Sequence, residues 1–246
     1  MKEIKENPFN VKPNVLLENI KMHGALVFKN VIDAQSIASF LPQFFKHSSK
    51  FTDNPSKFDQ PKPISFYRKM NIGSHGDFGE YPRFFRTTYI PFWLNGLGFS
   101  EPIFKPIISL RNHIAGLPLD FAYTKDVHHN LWSACRIQQY FLGGSFFSEH
   151  KDVVIDRLSR ENSVSTIQLV ALLSSKGTDF IEGGATIRDV EGRLIDIEAD
   201  ARAGDVIAYD GSSIHGVSPV DPHRELDLKV NTGRVVALAS LYNIKR

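Results

Sequence analysis

The sequence predicts a mainly β protein with flanking helices: a double-stranded β-helix, or jelly-roll, core braced by N-terminal α-helices. Two observations carry this expectation. From about residue 132 the chain breaks into short β-rich runs, "ACRIQQYF", "STIQLVALLSS", "GATIRDV", "RLIDIEA", "GDVIAYDG" and "RVVALASLYN", separated by turn residues such as "VEGR" and "ARAG". Ahead of them lie helical patterns, without the strand–helix alternation that builds a parallel sheet.

In chain order, "HGALVFKNVID" alternates like a short strand and ends at Asp33, a suitable N-cap. In "DAQSIASFLPQFFKH" the residues Ile37, Phe40, Leu41, Phe44 and Phe45 fall at helical spacing, so a packed helix is expected, kinked or shortened by Pro42. Residues 48–63 are polar and rich in lysine and proline, and "NIGSHGDFGEYP" is rich in glycine; both read as loops able to form a lid. A second helix is expected in "SEPIFKPIISLRNHIAGLP", with Ser100 as cap, Pro102 in the first turn, and Gly116 and Pro118 as the stop. The whole is expected to be one domain over residues 1–246, with helices and loops through 1–131 and the jelly roll over 132–246.

Composition narrows the function classes. With a net charge of +2 and scattered basic residues, there is no electrostatic footprint for nucleic acid or an anionic membrane. Cys135 is the single cysteine, which excludes an intrachain disulfide or a cysteine-rich metal site and points to a cytoplasmic setting. The N-terminal stretch lacks the apolar core of a signal peptide, and no apolar run is long enough for a membrane span. A small-molecule partner is the expectation that remains; oligomeric state is not legible.

The chemistry-bearing stretch is "YFLGGSFFSEHKDVV", with His150 and Asp152 one residue apart. A His-x-Asp alone says little, and a second one, His75 with Asp77, sits in the glycine-rich loop with no strand before it. His150 and Asp152 instead follow a predicted strand, where residues two apart point to the same side and can share one ligand. A third donor, His215, follows the "GDVIAYDG" strand, and an antiparallel jelly roll brings such distant strand ends together. Two imidazoles and a carboxylate on one face form the facial triad of non-haem Fe(II) oxygenases; zinc also accepts this donor set. Arg234, on the last long strand, offers a guanidinium that could balance a dianionic 2-oxo acid on such a metal in a dry cavity.

These blocks together resemble the Fe(II)/2-oxoglutarate-dependent dioxygenases, and within them the prolyl-hydroxylase type. The matching pieces are "QQYFLGGSFFSEHKD", "FIEGGATI", "AGDVIAYDGSSIHGVSPV" and "GRVVALASLY", in the family's order, and "HGALVFKNVI" is similar to its opening strand. The resemblance implies His150, Asp152 and His215 as catalytic iron ligands, Arg234 as anchor of the distal carboxylate of 2-oxoglutarate, and Tyr140 as a second group on that cosubstrate. By strand alternation Arg136 and Gln138 share the face of Tyr140, while Thr166 and Gln168 look inward from the next strand; Thr166 is assigned to the cosubstrate and Arg136, Gln138 and Gln168 to substrate. Arg83 and Arg86, set among aromatics in "YPRFFRTTYIPFW", are further candidates for a substrate carboxylate. Two departures stand out: residues 221–229 form an insertion before Arg234, and Ser240 stands where a large aromatic is usual.

The implied activity is hydroxylation of an unactivated C–H bond of a small molecule, an amino acid or a natural-product-like compound. Fe(II), 2-oxoglutarate and O2 would be required, ascorbate would serve as an accessory reductant, and succinate and CO2 would be released. Asp152 argues against the related halogenases, which lack this carboxylate. A peptidyl hydroxylase of the same family and, from another class, a non-catalytic jelly-roll binding module stand as alternatives. A cupin-type hydrolase or isomerase ranks below both, since the His-x-His pair is absent.

Overall fold

The computed structural model describes residues 2–54, 65–73, 81–126, 130–152 and 167–243. Thr166 and the His75–Asp77 pair lie outside them, as does most of the 48–63 stretch.

The expected jelly roll is there, and its described strands form one continuous sheet that folds over on itself. Helix α1 (Pro13–His23) and strands β1 (Lys2–Ile4) and β2 (Ala25–Phe28) open the chain, followed by α2 (Ala34–Ser48), β3 (Tyr67–Gly73), β4 (Arg83–Tyr89) and α3 (Glu101–Ile114). Then come β5 (Lys125–Asp126), β6 (Leu131–Tyr140), β7 (Ser145–His150), β8 (Ile167–Leu172), β9 (Gly184–Arg188), β10 (Leu194–Asp196), β11 (Val206–Asp210), β12 (His215–Val220) and β13 (Arg234–Asn243). The pairing order is β1-β2-β11-β8-β13-β6-β4-β7-β12-β9-β10, with β3 added to β4 and β5 to β6. The fold-over occurs at β4: Arg86–Tyr89 pair with β6, while Arg83 and Phe84 pair with β7.

This closure sorts side chains by parity. On the outer face of the large wall, Cys135, Ile137, Leu169, Ala171, Val206, Ala208, Val235 and Ala237 pack against Leu16, Ile20, Phe40, Phe44, Phe104, Ile107 and Ile108 of the three helices. On its inner face Val170, Leu172, Ile207, Val236 and Leu238 meet Ala185 and Ile187 of the small wall. Strands β2, β8 and β11 are thus buried on both sides, which is why they read as nearly continuous apolar runs. The inner layer is short, and polar residues take over toward the end of the barrel that carries His150.

Several local expectations need correction. Helix α2 runs unbroken through Pro42, because Pro42 and Ala38 face solvent and water can take the carbonyl that proline leaves unbonded, while Ile37, Phe40 and Phe44 stay seated. In α3, Ser100 does not cap with its side chain but donates its hydroxyl to Leu97 O, 2.7 Å away. Helix α1 had no expectation. The N-terminal part is more than helices and loops, since β1–β5 join the same sheet. Strand β3 begins just after the stretch read as loop and includes Asn71–Gly73 of the glycine-rich one; its buried positions, Lys69 and Asn71, are polar, so it carries no apolar alternation.

The 221–229 insertion is fastened to the outer side of the sheet. Gly143 N donates to Asp221 O at 3.0 Å, Arg86 donates to Leu228 O at 3.1 Å, and Gln139 Nε2 donates to Val230 O at 3.0 Å. The glycine pair explains the fit: at Gly143, with φ +91°, a Cβ would come 2.8 Å from the Leu226 backbone.

Candidate metal centre

The site begins with a strand register. β12 pairs antiparallel with β7 so that His215 stands opposite His150, with shifts of register further along. Residues opposite each other in such a ladder share a face, and the two imidazole centroids lie 4.4 Å apart. Asp152 follows two residues after His150, and its backbone N–H donates to Gly211 O at 2.9 Å, which ties the turn after β7 to the turn before β12. Asp152 Oδ1 is then 3.9 Å from His150 Nε2, and Oδ2 is 3.7 Å from His215 Nε2. One donor atom from each of the three side chains lies within 4.8 Å of the others.

Both imidazoles are oriented the same way. His150 Nδ1 lies 2.9 Å from Ser148 O and His215 Nδ1 lies 2.9 Å from Ser213 O. A carbonyl only accepts, so each Nδ1 carries a proton, and each ring turns its Nε2 edge toward Asp152. This backbone support is the arrangement found behind metal-bound histidines. His150 is further fixed by stacking on Phe147 at 3.7 Å between centroids, and His215 by Tyr209 at 4.7 Å.

Burial holds His150 at about 3, helped by the neighbouring His215 and Arg83 against the Ser148 bond, so the ring is neutral and able to donate. Burial also pushes the Asp152 carboxyl above its ordinary value, although His215 and Arg136 pull the other way. A buried carboxylate flanked by two imidazole Nε2 atoms is a donor set that a divalent ion would satisfy.

No family profile matches the chain, and no curated protein matches it in sequence. Solved structures do match. A prolyl hydroxylase from Trichoplax adhaerens, solved with a hypoxia-inducible-factor peptide fragment, superposes with a TM-score of 0.60 at 12% identity, over 92% of this chain and 87% of that one. A prolyl-4-hydroxylase from Pseudomonas putida gives 0.55 at 13%, over 92% and 97%. The non-haem α-ketoglutarate-dependent epimerase SnoN of nogalamycin biosynthesis gives 0.58 at 11%, over 94% and 82%. The chain has the prolyl-hydroxylase fold.

Within that fold the remaining expected residues divide. Tyr140, opposite Arg234 in the β6–β13 ladder, is buried, and its ring lies 4.9 Å from the Arg234 guanidinium. Gln138 shares its face and accepts from the Tyr140 hydroxyl at 3.3 Å. Arg136, one step further, has its guanidinium 5.4 Å over the Tyr242 ring and acts electrostatically on Asp152, Tyr140 and Tyr209. Arg83 comes near the metal centre over the Phe147 ring at 5.9 Å.

Gln168 is inward-facing, but its Oε1 is taken by the Ser240 hydroxyl at 2.7 Å. Arg86 is not in the cavity. It sits on the opposite face of β4 from Arg83, donating to Asp53, to Gln139 Oε1 at 3.0 Å and to Leu228 O. The three-residue step from Arg83 to Arg86 reverses the side on a pleated strand.

Two inner residues escaped the sequence reading. Tyr209, opposite Gln168 on β11, lines the wall beside His215, and the alternation of "VIAYD" could have revealed it. Glu198 could not have been singled out among 27 acidic residues, yet it makes a buried ion pair with Arg234. The compensation expected of Arg234 toward a bound dianion is therefore already drawn on by a protein carboxylate.

Proposed function

We propose that the protein is a non-haem Fe(II)- and 2-oxoglutarate-dependent dioxygenase that hydroxylates a C–H bond of a small molecule, with His150, Asp152 and His215 holding the metal. The observation that carries this reading is the metal centre itself: two histidines whose Nδ1–H groups are fixed on backbone carbonyls, their Nε2 atoms converging on one carboxylate, at the end of a barrel of prolyl-hydroxylase fold. Bound there, iron and 2-oxoglutarate would supply the oxidation, in which O2 converts the 2-oxo acid to succinate and CO2 and a C–H bond to C–OH. The protein's residues present three ligands on one side, leaving the other positions to the cosubstrate and O2. Arg234 and Tyr140 are the candidates for the distal end of the cosubstrate, and Arg136, Gln138 and Arg83 are candidates for contact with substrate.

The test is anaerobic reconstitution with Fe(II) and 2-oxoglutarate, scored by the weak visible charge-transfer band, then O2 and a succinate assay. Band and succinate are expected from the wild type, with Asp152→Ala reducing turnover by about a hundredfold or more. Absence of both in the wild type would remove the oxygenase reading, and normal turnover by the variant would remove the ligand assignment. A peptidyl substrate is the second reading, favoured by the peptide complex of the Trichoplax structure. Substrate-stimulated succinate release across amino acids and proline-containing peptides separates the two.

A further inference from the structure

Arg234 does not face the cavity with an open fork. Its Nε lies 2.9 and 3.0 Å from the two carboxylate oxygens of Glu198, and its Nη2 also donates to Glu198 Oε1. The edge of the guanidinium that would grip a carboxylate side-on is closed. Both side chains are almost wholly buried, at 3% and 2% exposure, so water does little to weaken the pair.

The seat of Glu198 is built. Its backbone N–H donates to Asp196 Oδ1 at 2.9 Å, and Gly184, at φ +106°, leaves room for it: a Cβ there would come 2.9 Å from Glu198 Oε2. Arg234 is held from the other side by the Tyr140 ring. What remains is Arg234 Nη1, buried and with no hydrogen bond of ordinary geometry, although the guanidinium lies close enough to the Tyr140 hydroxyl to act on it as a donor. A buried donor left unmade costs stability unless something accepts from it. Its place on the inner face beside Tyr140 makes the distal group of a bound 2-oxo acid the acceptor.

We propose that Glu198 is a specificity-determining residue for the cosubstrate: it holds Arg234 as a neutral pair, so the distal end of the 2-oxo acid is received on Nη1 alone and with little preference for negative charge. This rests on the reading of the cavity as a 2-oxoglutarate site. A lone guanidinium would bind a distal carboxylate through two parallel bonds and a full opposite charge. Paired with Glu198, it offers one edge, and the carboxylate of Glu198 repels a second one. An uncharged distal carbonyl loses less by this arrangement.

The experiment compares dissociation constants of 2-oxoglutarate and its 5-methyl ester for the anaerobic, Fe(II)-loaded protein, read from the charge-transfer band and by calorimetry. In the wild type the two should agree within about tenfold. In Glu198→Gln, which keeps the side-chain size and one acceptor while freeing the charge of Arg234, 2-oxoglutarate should bind at least tenfold tighter and the ester no tighter. A wild-type preference for 2-oxoglutarate of a thousandfold or more overturns the inference and needs no variant, so a poorly folding substitution does not shield it. So does a ratio that Glu198→Gln leaves unmoved while both ligands bind. If neither ligand binds any form of the protein, the cosubstrate reading fails and takes this inference with it.

Discussion

At the scale of single residues, the most constrained positions around the site are glycines that let two backbones touch. Gly183 has φ +84°, and a Cβ there would lie 2.2 Å from Pro219 O and 2.7 Å from Ser218 O, both rigid backbone of β12. The neighbouring peptides are held by the Asp221 carboxylate, which accepts from Ile181 N at 2.8 Å and Glu182 N at 2.6 Å. Neither the clash nor the left-handed backbone can relax without moving the strand that starts with His215. Gly183→Ala should therefore cost about 2–4 kcal/mol, measured by urea unfolding. A loss below about 0.5 kcal/mol would show that β12 yields freely. The same residue scale explains why Arg234 is a poor target for simple deletion: Arg234→Met would leave Glu198 charged and buried, and lost stability would mask lost binding.

At the scale of elements, the N-terminal segments are tied to the barrel by polar clasps as well as by helix packing. Asp53, after α2, accepts from Arg68 of β3 at 2.7 and 3.1 Å and from Arg86 of β4 at 3.0–3.2 Å, and Arg86 reaches on to Gln139 of β6. Burial raises the Asp53 carboxyl, but the bonds and charges of Arg68 and Arg86 outweigh it and hold the group below its ordinary 3.8. A carboxylate depressed in the folded state contributes stability that is complete above the unfolded value and fades as pH falls through the folded one. Asp53→Asn should cost about 2 kcal/mol at pH 7, and the gap from wild type should narrow progressively below pH 4. A gap that stayed constant from pH 7 to pH 3 would show that the charge of Asp53 plays no part.

At the scale of the whole molecule, the candidate metal centre joins distant parts of the chain, since β7 and β12 are brought together only in the folded sheet. A metal held there binds the folded state in preference to the unfolded one. A divalent ion such as Mn(II) or Fe(II) at about a hundred times its dissociation constant should add about 2.7 kcal/mol, or a rise in Tm of about 5–10 °C for a chain of this size. His150→Ala should abolish the rise under anaerobic conditions. An equal rise in wild type and variant would place the binding elsewhere. Among the described residues no helix is long and apolar enough to cross a membrane.

The alternation of strands and the spacing of His150, Asp152 and His215 were readable in one dimension, because the side-chain period of an extended chain is a property of neighbouring residues. The apolar faces of α2 and α3 and the strands β6, β8–β11 and β13 were readable for the same reason, whereas β12, which opens on His215, was not read as a strand. What neighbours cannot encode is which side chains meet across the barrel. The sequence presented Arg234 as a free cation for a ligand, and the structure closes it on Glu198, 36 residues away, across the gap that Gly184 leaves. It presented Arg83 and Arg86 as alike, and the pleat of β4 sends them to opposite faces. It placed Ser240 where an aromatic is usual, and that serine bonds to Gln168, 72 residues away. The sequence by itself determined the candidate donor residues, most of the strands and the class of fold; the folding-over of the sheet decided how charge is distributed around them, because ion pairing and burial depend on distances in space that no local pattern records.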